Sequence, residues 1–341
     1  MSLTVLMEMA WNGDFEGVKA NLKEVGQKNE DGWTALMWAA GYDNTNCIPL
    51  LEKELGMQDN DGGTALMKAV WRGHADCVPL LKREIGMRSG DGQTALMVAA
   101  DEGHINCVAL LEREMGIQDS DGLTALMHAI FNGHADCIPL LERELGIQAN
   151  DGRTALMLAA CYGHTGSVRL LLSEVGKQTT KEYNDFPPGT TALMMAAHYN
   201  YPEIVELLLP YEQGLKDSKG HTAQWHANNS LEGGDYTRIR ELLENEGTER
   251  VPSPNSEPLV QECINKQTTE DESVKKELTS LRAALDEERK EISSLKAQLA
   301  KTNEDLSHAC KDSEAVKREL ADQKARILAL EEELVRLRTK S

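Results

Sequence analysis

After Pro258 the sequence contains no proline and no glycine. The two residues that most reliably stop a helix are therefore missing from its last quarter. Large rings are scarce throughout, with Phe, Trp and Tyr together making up 4% of residues, so a core must be built mainly from smaller apolar side chains. Basic residues are also in deficit: 36 Lys and Arg stand against 56 Asp and Glu, a net charge of −20. Residues 259–341 hold 16 of those bases and 18 of the acids, which leaves 20 bases and 38 acids on the preceding 258 residues. Such a surface repels phosphate, and nucleic acid and anionic membranes are excluded as direct partners. No run of eighteen apolar residues exists, so no membrane-spanning helix is expected. Seven cysteines, an odd number, do not suggest a disulfide framework. The first residues, Met1-Ser2-Leu3-Thr4, carry no basic segment of a signal peptide, and Arg338-Thr339-Lys340-Ser341 offers no lipidation cysteine. The sequon at Asn228 reads as coincidence. A reduced, soluble, cytoplasmic protein is expected.

What the chain does contain is a repeat. Asp-Gly-x-Thr-Ala-Leu-Met starts at Asp31, Asp61, Asp91, Asp121 and Asp151, a strict period of 30. Thr-Ala-Leu-Met returns at Thr191 after a seven-residue insertion that includes Pro187 and Pro188, and degenerate copies start at Thr4 and Thr222. Eight units result, with atypical ends, as a stack requires at its caps. Each unit reads turn, helix, turn, helix. Thr64 caps a helix bearing Ala65, Leu66, Ala69 and Val70 at helical spacing. Arg72-Gly73-His74 ends it. A second helix is expected from Asp76, where Asn46, Asp76, Asn106 and Asp136 all suit an N-cap. Pro49, Pro79 and Pro139 then fall in its first turn, Leu80, Leu81 and Ile85 complete the apolar stripe, and Gly86 ends it.

These residues resemble the ankyrin repeat over about residues 3–246. The closest copy is Thr154-Ala155-Leu156-Met157-Leu158-Ala159-Ala160, then Gly163-His164 and Val168-Arg169-Leu170-Leu171-Leu172. Two departures stand out. Thr-Ala-Leu-Met replaces the family's Thr-Pro-Leu-His, which removes its Thr–His bond. The period of 30 rather than about 33 implies a shortened hairpin. The wording is also similar to that of the Giardia ankyrin proteins of the Protein 21.1 group. The resemblance implies an all-α solenoid over 1–246.

A linker is expected over 247–272, where Pro252, Pro254 and Pro258 sit among polar residues. Over 273–339 a heptad register runs nine heptads from Leu278 without a stutter. Its a positions hold Leu278, Leu285, Ile292, Leu299, Leu306, Leu320, Ile327 and Leu334. Leu281, Leu295, Val316, Leu330 and Leu337 lie at d. At 1.5 Å per residue this coiled coil would reach roughly 100 Å. Its flanks are charged in a pattern. In a parallel pair, g residues meet the e residues five positions on: Glu277–Arg282, Glu291–Lys296, Asp312–Lys317, Glu319–Lys324, Arg326–Glu331 and Glu333–Arg338. No like-charge pair occurs, whereas an antiparallel pair would set acid on acid. A parallel homodimer is expected. A lone solvated helix is the competing reading, but charge alone would not keep the seam in phase.

Chemistry finds little support. His74, His104 and His134 each precede a cysteine by three residues (Cys77, Cys107, Cys137), but each unit offers at most two metal ligands where structural zinc takes four. A structural role is expected for both residue types, with cysteine as a small buried hydrophobe. Asp59-Asn60-Asp61-Gly62 fails as a calcium loop, because Lys68 stands where Glu is required. No phosphate-binding loop, dinucleotide fingerprint or nucleophile elbow appears, so neither an enzyme, a metal nor a cofactor is expected.

The resemblance also implies a binding groove lined by the residues that follow Ala-Ala of each first helix. These are Trp11, Tyr42, Trp71, Arg72, Asp101, Glu102, Phe131, Asn132, Tyr162, His198 and Tyr199, with Trp33 joining from the turn. Six of the fifteen aromatics fall in this row, and aromatics and Arg are the usual anchors of interfaces. Either the rings line a groove for a protein partner, suited to a basic or amphipathic segment, or they pack between repeats. The expected function is a non-enzymatic adaptor that doubles its groove by dimerising. The alternative is a cytoskeleton-associated structural protein whose coiled coil carries the main role.

Overall fold

A computed structural model of the chain describes residues 3–230, 233–244, 246–247 and 250. The coiled-coil seam Leu278–Leu337 and nearly all of the linker lie outside the described residues. Among the described residues every regular element is helical, apart from a lone bridge between Tyr183 and Phe186. None of these helices is long and apolar enough to cross a membrane.

The first helices are Val5–Asn12, Ala35–Gly41, Ala65–Trp71, Ala95–Asp101, Ala125–Phe131, Ala155–Cys161, Ala192–His198 and Ala223–Asn229, and each packs on the next in chain order. Seven begin as the sequence predicts, with the threonine hydroxyl accepting a hydrogen bond from the N–H three residues on, as in Thr64 and Met67. Thr222 makes no such bond. Alanines such as Ala69, Ala99 and Ala129 are wholly buried, and these small side chains let neighbouring first helices approach closely.

The second elements differ from expectation in two ways. They start directly after the histidine, at Ala75, Ile105, Ala135 and Thr165, and no side chain caps them. Asp76, Asn106 and Asp136 therefore lie inside the element rather than at its N-cap, and Asn46 lies in the turn before Ile48–Glu54. Moreover, only some are α-helical. Ile105–Leu110 and Thr165–Leu170 are α, whereas Ile48–Glu54, Ala75–Cys77 and Ala135–Leu140 are 3-10. The division follows proline. Pro49, Pro79 and Pro139 occupy the slot that is Ala109 and Arg169 in the α-helical repeats. A proline there has no N–H for an α-bond, and its ring crowds the carbonyl four residues back. The chain tightens to three-residue bonds instead, such as Val78 N–H to Ala75 O, while Val108 N–H reaches His104 O four residues away. Of the expected stripe, Leu81 is buried, Ile85 is half-buried and Leu80 is exposed.

At the end of each second element, or just past it, lies a glutamate on which three segments converge. Glu54, Glu84, Glu114, Glu144, Glu174 and Glu212 are all buried. One carboxylate oxygen accepts the N–H of a glycine in the preceding repeat: Gly26, Gly56, Gly86, Gly116, Gly146 and Gly176 in turn, at 2.6–2.9 Å. The other accepts the N–H of Leu36, Leu66, Leu96, Leu126, Leu156 and Leu193, at 2.7–2.8 Å. Those leucines sit at the second position of the first helix of the glutamate's own repeat. Threonine and glutamate thus satisfy two of the four N–H groups that a helix start leaves unpaired, and the carboxylate also complements the positive end of the helix dipole. The ladder extends to both ends through Glu24 on Leu6 and Glu246 on Gly214 and Gln224.

The hairpin reduces to a five-residue turn, Asp59–Gly63, closed by Asp59 N–H to Gly63 O at 2.9 Å. Neighbouring turns are joined by backbone bonds such as Gly90 N–H to Asp61 O and Ser120 N–H to Asp91 O, at 2.8 and 2.9 Å. Gly62 has φ +79°, and a Cβ there would lie 2.6 Å from Gly90 N, so the glycine of Asp-Gly is required both by its conformation and by the next turn. His74 and His104 place Nε2 3.2 Å from Gly41 O and Trp71 O, at the end of the preceding first helix. Cys47, Cys77, Cys107 and Cys137 are buried free thiols.

Two outcomes follow from the ladder. Glu114→Ala leaves the N–H groups of Gly86 and Leu96 without their acceptor, and should cost about 2–5 kcal/mol in urea unfolding. A loss below about 0.5 kcal/mol would show the carboxylate to be dispensable. The second concerns pH. Burial raises Glu84, Glu114, Glu174 and Glu212 above the ordinary 4.5, although backbone and threonine hydrogen bonds oppose it. The folded state therefore binds these protons more tightly than the unfolded chain. Their contribution is complete below about 4.5 and is lost as pH rises through the folded values. The urea midpoint should fall as pH rises from about 4.5 to neutrality, and a midpoint that rises over that span contradicts the assignment.

Candidate protein-binding groove

The ends of the first helices and the turns beside them enclose a groove of about 1010 Å³ that spans three repeats. Trp33 and Trp71 stand in its lining, with Asp59, Asp61, Lys68, Asp91, Asp101 and Glu102 around them. A second pocket of about 270 Å³ adjoins it, sharing Gln93 and Asp101, and is lined by Leu123, Met127, Phe131, Leu158 and Tyr183 with His128 and Arg153. The first is acidic. Its one amine, Lys68, is committed to Asp59 at 2.6 Å and lies 4.7 Å over the Trp33 ring, so the carboxylates of Asp61, Asp91 and Glu102 have no basic counterpart among the lining residues, while Asp101 faces His128 of the second pocket. The second pocket is apolar. Together they offer negative charge next to a greasy recess, which is the complement of a basic residue beside an aliphatic or aromatic one.

Of the residues singled out in the sequence, Trp33, Trp71, Asp101, Glu102 and Phe131 line these two pockets. Trp71 and Phe131 are 46% and 49% exposed, and Trp71 Nε1 donates to Glu102 at 3.0 Å. Asn132 donates to Asp101 at 2.7 Å and holds it from one side. The remaining residues lie elsewhere. Trp11 is exposed but packs on Trp38 and Tyr42 at the first repeats, and the Arg72 guanidinium lies 4.3 Å over Tyr42. Tyr162 is half-buried against Phe131 at 4.8 Å. His198 and Tyr199 pack against Phe186 of the insertion. The row thus splits: some rings face the groove, others fill spaces between repeats.

Three contributors escaped the sequence reading. Trp38 is buried and gathers Trp11, Trp33 and Tyr42. Tyr183, from the insertion, lies under the Arg153 guanidinium at 3.7 Å and closes one side of the apolar pocket. His128 is buried between two acids, with Nδ1 3.2 Å from Asp101 and Nε2 3.0 Å from Asp119. The available signal was variation at one helix position: Trp38, Lys68, Val98, His128 and Leu158 replace one another on an otherwise constant frame.

Burial works to lower the pKa of His128, but the hydrogen bonds and charges of Asp101 and Asp119 outweigh it and hold the imidazole above the ordinary 6.5. In an NMR titration His128 should therefore titrate above 6.5, and Asp119→Asn should move its midpoint down. A midpoint below 6.5 in the unaltered chain would contradict the paired geometry.

The family model described as "Ankyrin repeats (3 copies)" matches overlapping segments 6–89, 50–112, 79–151, 109–185 and 139–219. Comparison with curated proteins returns no match. Threonine-capped first helices, glycine-histidine corners and a matched span covering more than half of the sequence lead to one conclusion: the chain belongs to the ankyrin-repeat family.

Proposed function

We propose that the protein is a non-enzymatic, cytoplasmic adaptor that holds a segment of another protein in the groove between Trp33 and Tyr183. Ankyrin repeats generally mediate protein–protein interaction, and the carrying observation is the juxtaposition of the acidic groove with the apolar pocket across Gln93 and Asp101. Two exposed rings, Trp71 and Phe131, mark the two halves. A segment carrying Lys or Arg next to a Leu-like side chain satisfies both. The parallel coiled coil read from residues 273–339 would double the groove and raise avidity without new contacts. That part of the proposal rests on the heptad pattern alone.

The test uses the full chain. Changing Trp71 and Phe131 together to Ala should abolish capture of a partner that the unaltered chain retains, while the circular dichroism stays the same, because both rings are solvent-exposed. Changing Leu110, exposed on a second element, to Ala should leave capture intact. Loss of helical signal in the double variant, or equal loss of capture in both variants, contradicts the proposal.

A further inference from the structure

The last described repeat collects three metal-binding side chains in a cluster found nowhere else among the described residues. Asp217 and His221 open and close its turn, and His226 lies on the helix Ala223–Asn229. One donor atom from each (a carboxylate oxygen and two imidazole nitrogens) falls within 4.8 Å of the others. Asp217 Oδ2 is 3.0 Å from His226 Nε2 and 3.4 Å from His221 Nδ1. Tetrahedral zinc, bound at about 2.0–2.2 Å, needs donors roughly 3.3–3.5 Å apart. The two carboxylate–imidazole distances are close to that spacing as they stand, and the two imidazole nitrogens lie within 4.8 Å of each other.

The donors are also held in place. Asp217 Oδ1 accepts the backbone N–H groups of Lys219 and His221, both at 2.9 Å, which fixes the carboxylate and leaves Oδ2 for the cluster. The His221 ring stacks on Trp225, with centroids 3.4 Å apart and planes 2° from parallel. His226 is buried and packs against Phe186. Supporting contacts of this kind orient ligands in known metal sites.

The other repeats provide an internal comparison. Asp59 occupies the place of Asp217, but its neighbours are Gly63 and Lys68, and the Lys68 ammonium already takes the place a cation would fill. Asp119 has His128 in the place of His226, but Leu123 in that of His221. A brace between turn and helix therefore needs only an acid and one partner, and Asp217 with His226 alone would provide it. His221 is not accounted for in this way. Its Nδ1 is shielded from solvent, faces the same carboxylate oxygen and makes no hydrogen bond. A buried nitrogen 3.4 Å from a carboxylate oxygen yet without a hydrogen bond is poorly satisfied in a polar cluster unless something else occupies the centre.

We propose that Asp217, His221 and His226 bind one divalent ion of the zinc class, with a fourth position left for water. The ion replaces the proton shared by Asp217 and His226 and takes the free lone pair of His221 Nδ1. It ties the turn to a helix that, alone among the first helices, lacks its threonine cap. The ion thus acts as a staple on the terminal repeat, and the site stands whether or not the groove binds protein. It is distinct from the His–Cys pairs of the earlier repeats, whose histidines are engaged with backbone carbonyls at His74 and His104.

The test is titration of chelator-stripped full-length protein with zinc chloride by calorimetry, alongside His221→Phe. That change keeps a ring against Trp225 and removes the donor. The unaltered chain should bind one ion at this site, and His221→Phe should weaken that binding by at least about tenfold. Cobalt(II) provides a second readout that needs no variant. A tetrahedral d–d spectrum without thiolate charge-transfer bands marks a nitrogen and oxygen site, separating it from any cysteine site. Absence of binding, equal zinc affinity in both proteins, or thiolate bands accounting for all of the bound cobalt would each overturn the proposal.

Discussion

A buried glutamate that accepts one N–H from the preceding repeat and one from its own first helix is the contact on which the rest of this stack depends. Neither helix of a unit is long enough to persist alone in water. Several second elements are not even α-helical, because proline denies them the bond that would continue a helix. A carboxylate such as Glu114, wholly enclosed yet shared between Gly86 and Leu96, couples the end of one repeat to the start of the next helix. Burying it is expensive, and the expense is offset only while both donors remain in position. The ladder therefore favours an array in which each repeat is in register with the last.

Register in turn makes the groove. Because the frame repeats every thirty residues, side chains at one slot line up along the stack, and substitutions at that slot alter the surface without altering the support. The slot after Ala-Ala carries Trp71, Asp101 and Phe131, and the slot earlier in the same helix carries Lys68, Val98 and His128. Turn acids such as Asp61 and Asp91 face the same space. Chemistry is thus separated from folding: the ladder, the threonine caps and the Asp-Gly turns hold the frame, while a few slots set what the groove accepts. The insertion before Thr191 interrupts the period and places Tyr183 at the far side of the apolar pocket.

Much of this frame was legible in the sequence. The period and the threonine caps follow from spacing and residue type, and the structural role of Gly-His is implied by the ankyrin resemblance. The glutamate ladder was equally periodic, at Glu54, Glu84, Glu114, Glu144 and Glu174, yet residue type and spacing do not separate these acids from the surface acids around them. Only the folded geometry reveals that these acids turn inward onto backbone donors. Asp76 looked like a cap because its type suits one, but the histidine corner starts the element earlier. The fate of each ring was not legible either. Trp71 and Tyr42 occupy adjacent slots, and their exposure is decided by what lies alongside, Arg72 covering the tyrosine while the tryptophan stays 46% exposed. The cluster at Asp217 escaped because its three members are spread over ten residues of a degenerate repeat.

The central claim is that the buried carboxylates lock successive repeats together. Native-state hydrogen exchange measures it at the donors themselves. The amides of Gly86, Gly116 and Gly146, which lie just past the second elements and outside any helix, should exchange only as slowly as global unfolding allows, alongside Leu96, Leu126 and Leu156. Fast exchange at these glycines, while the leucines stay protected, would show that the glutamates cap their own helices without joining one repeat to the next.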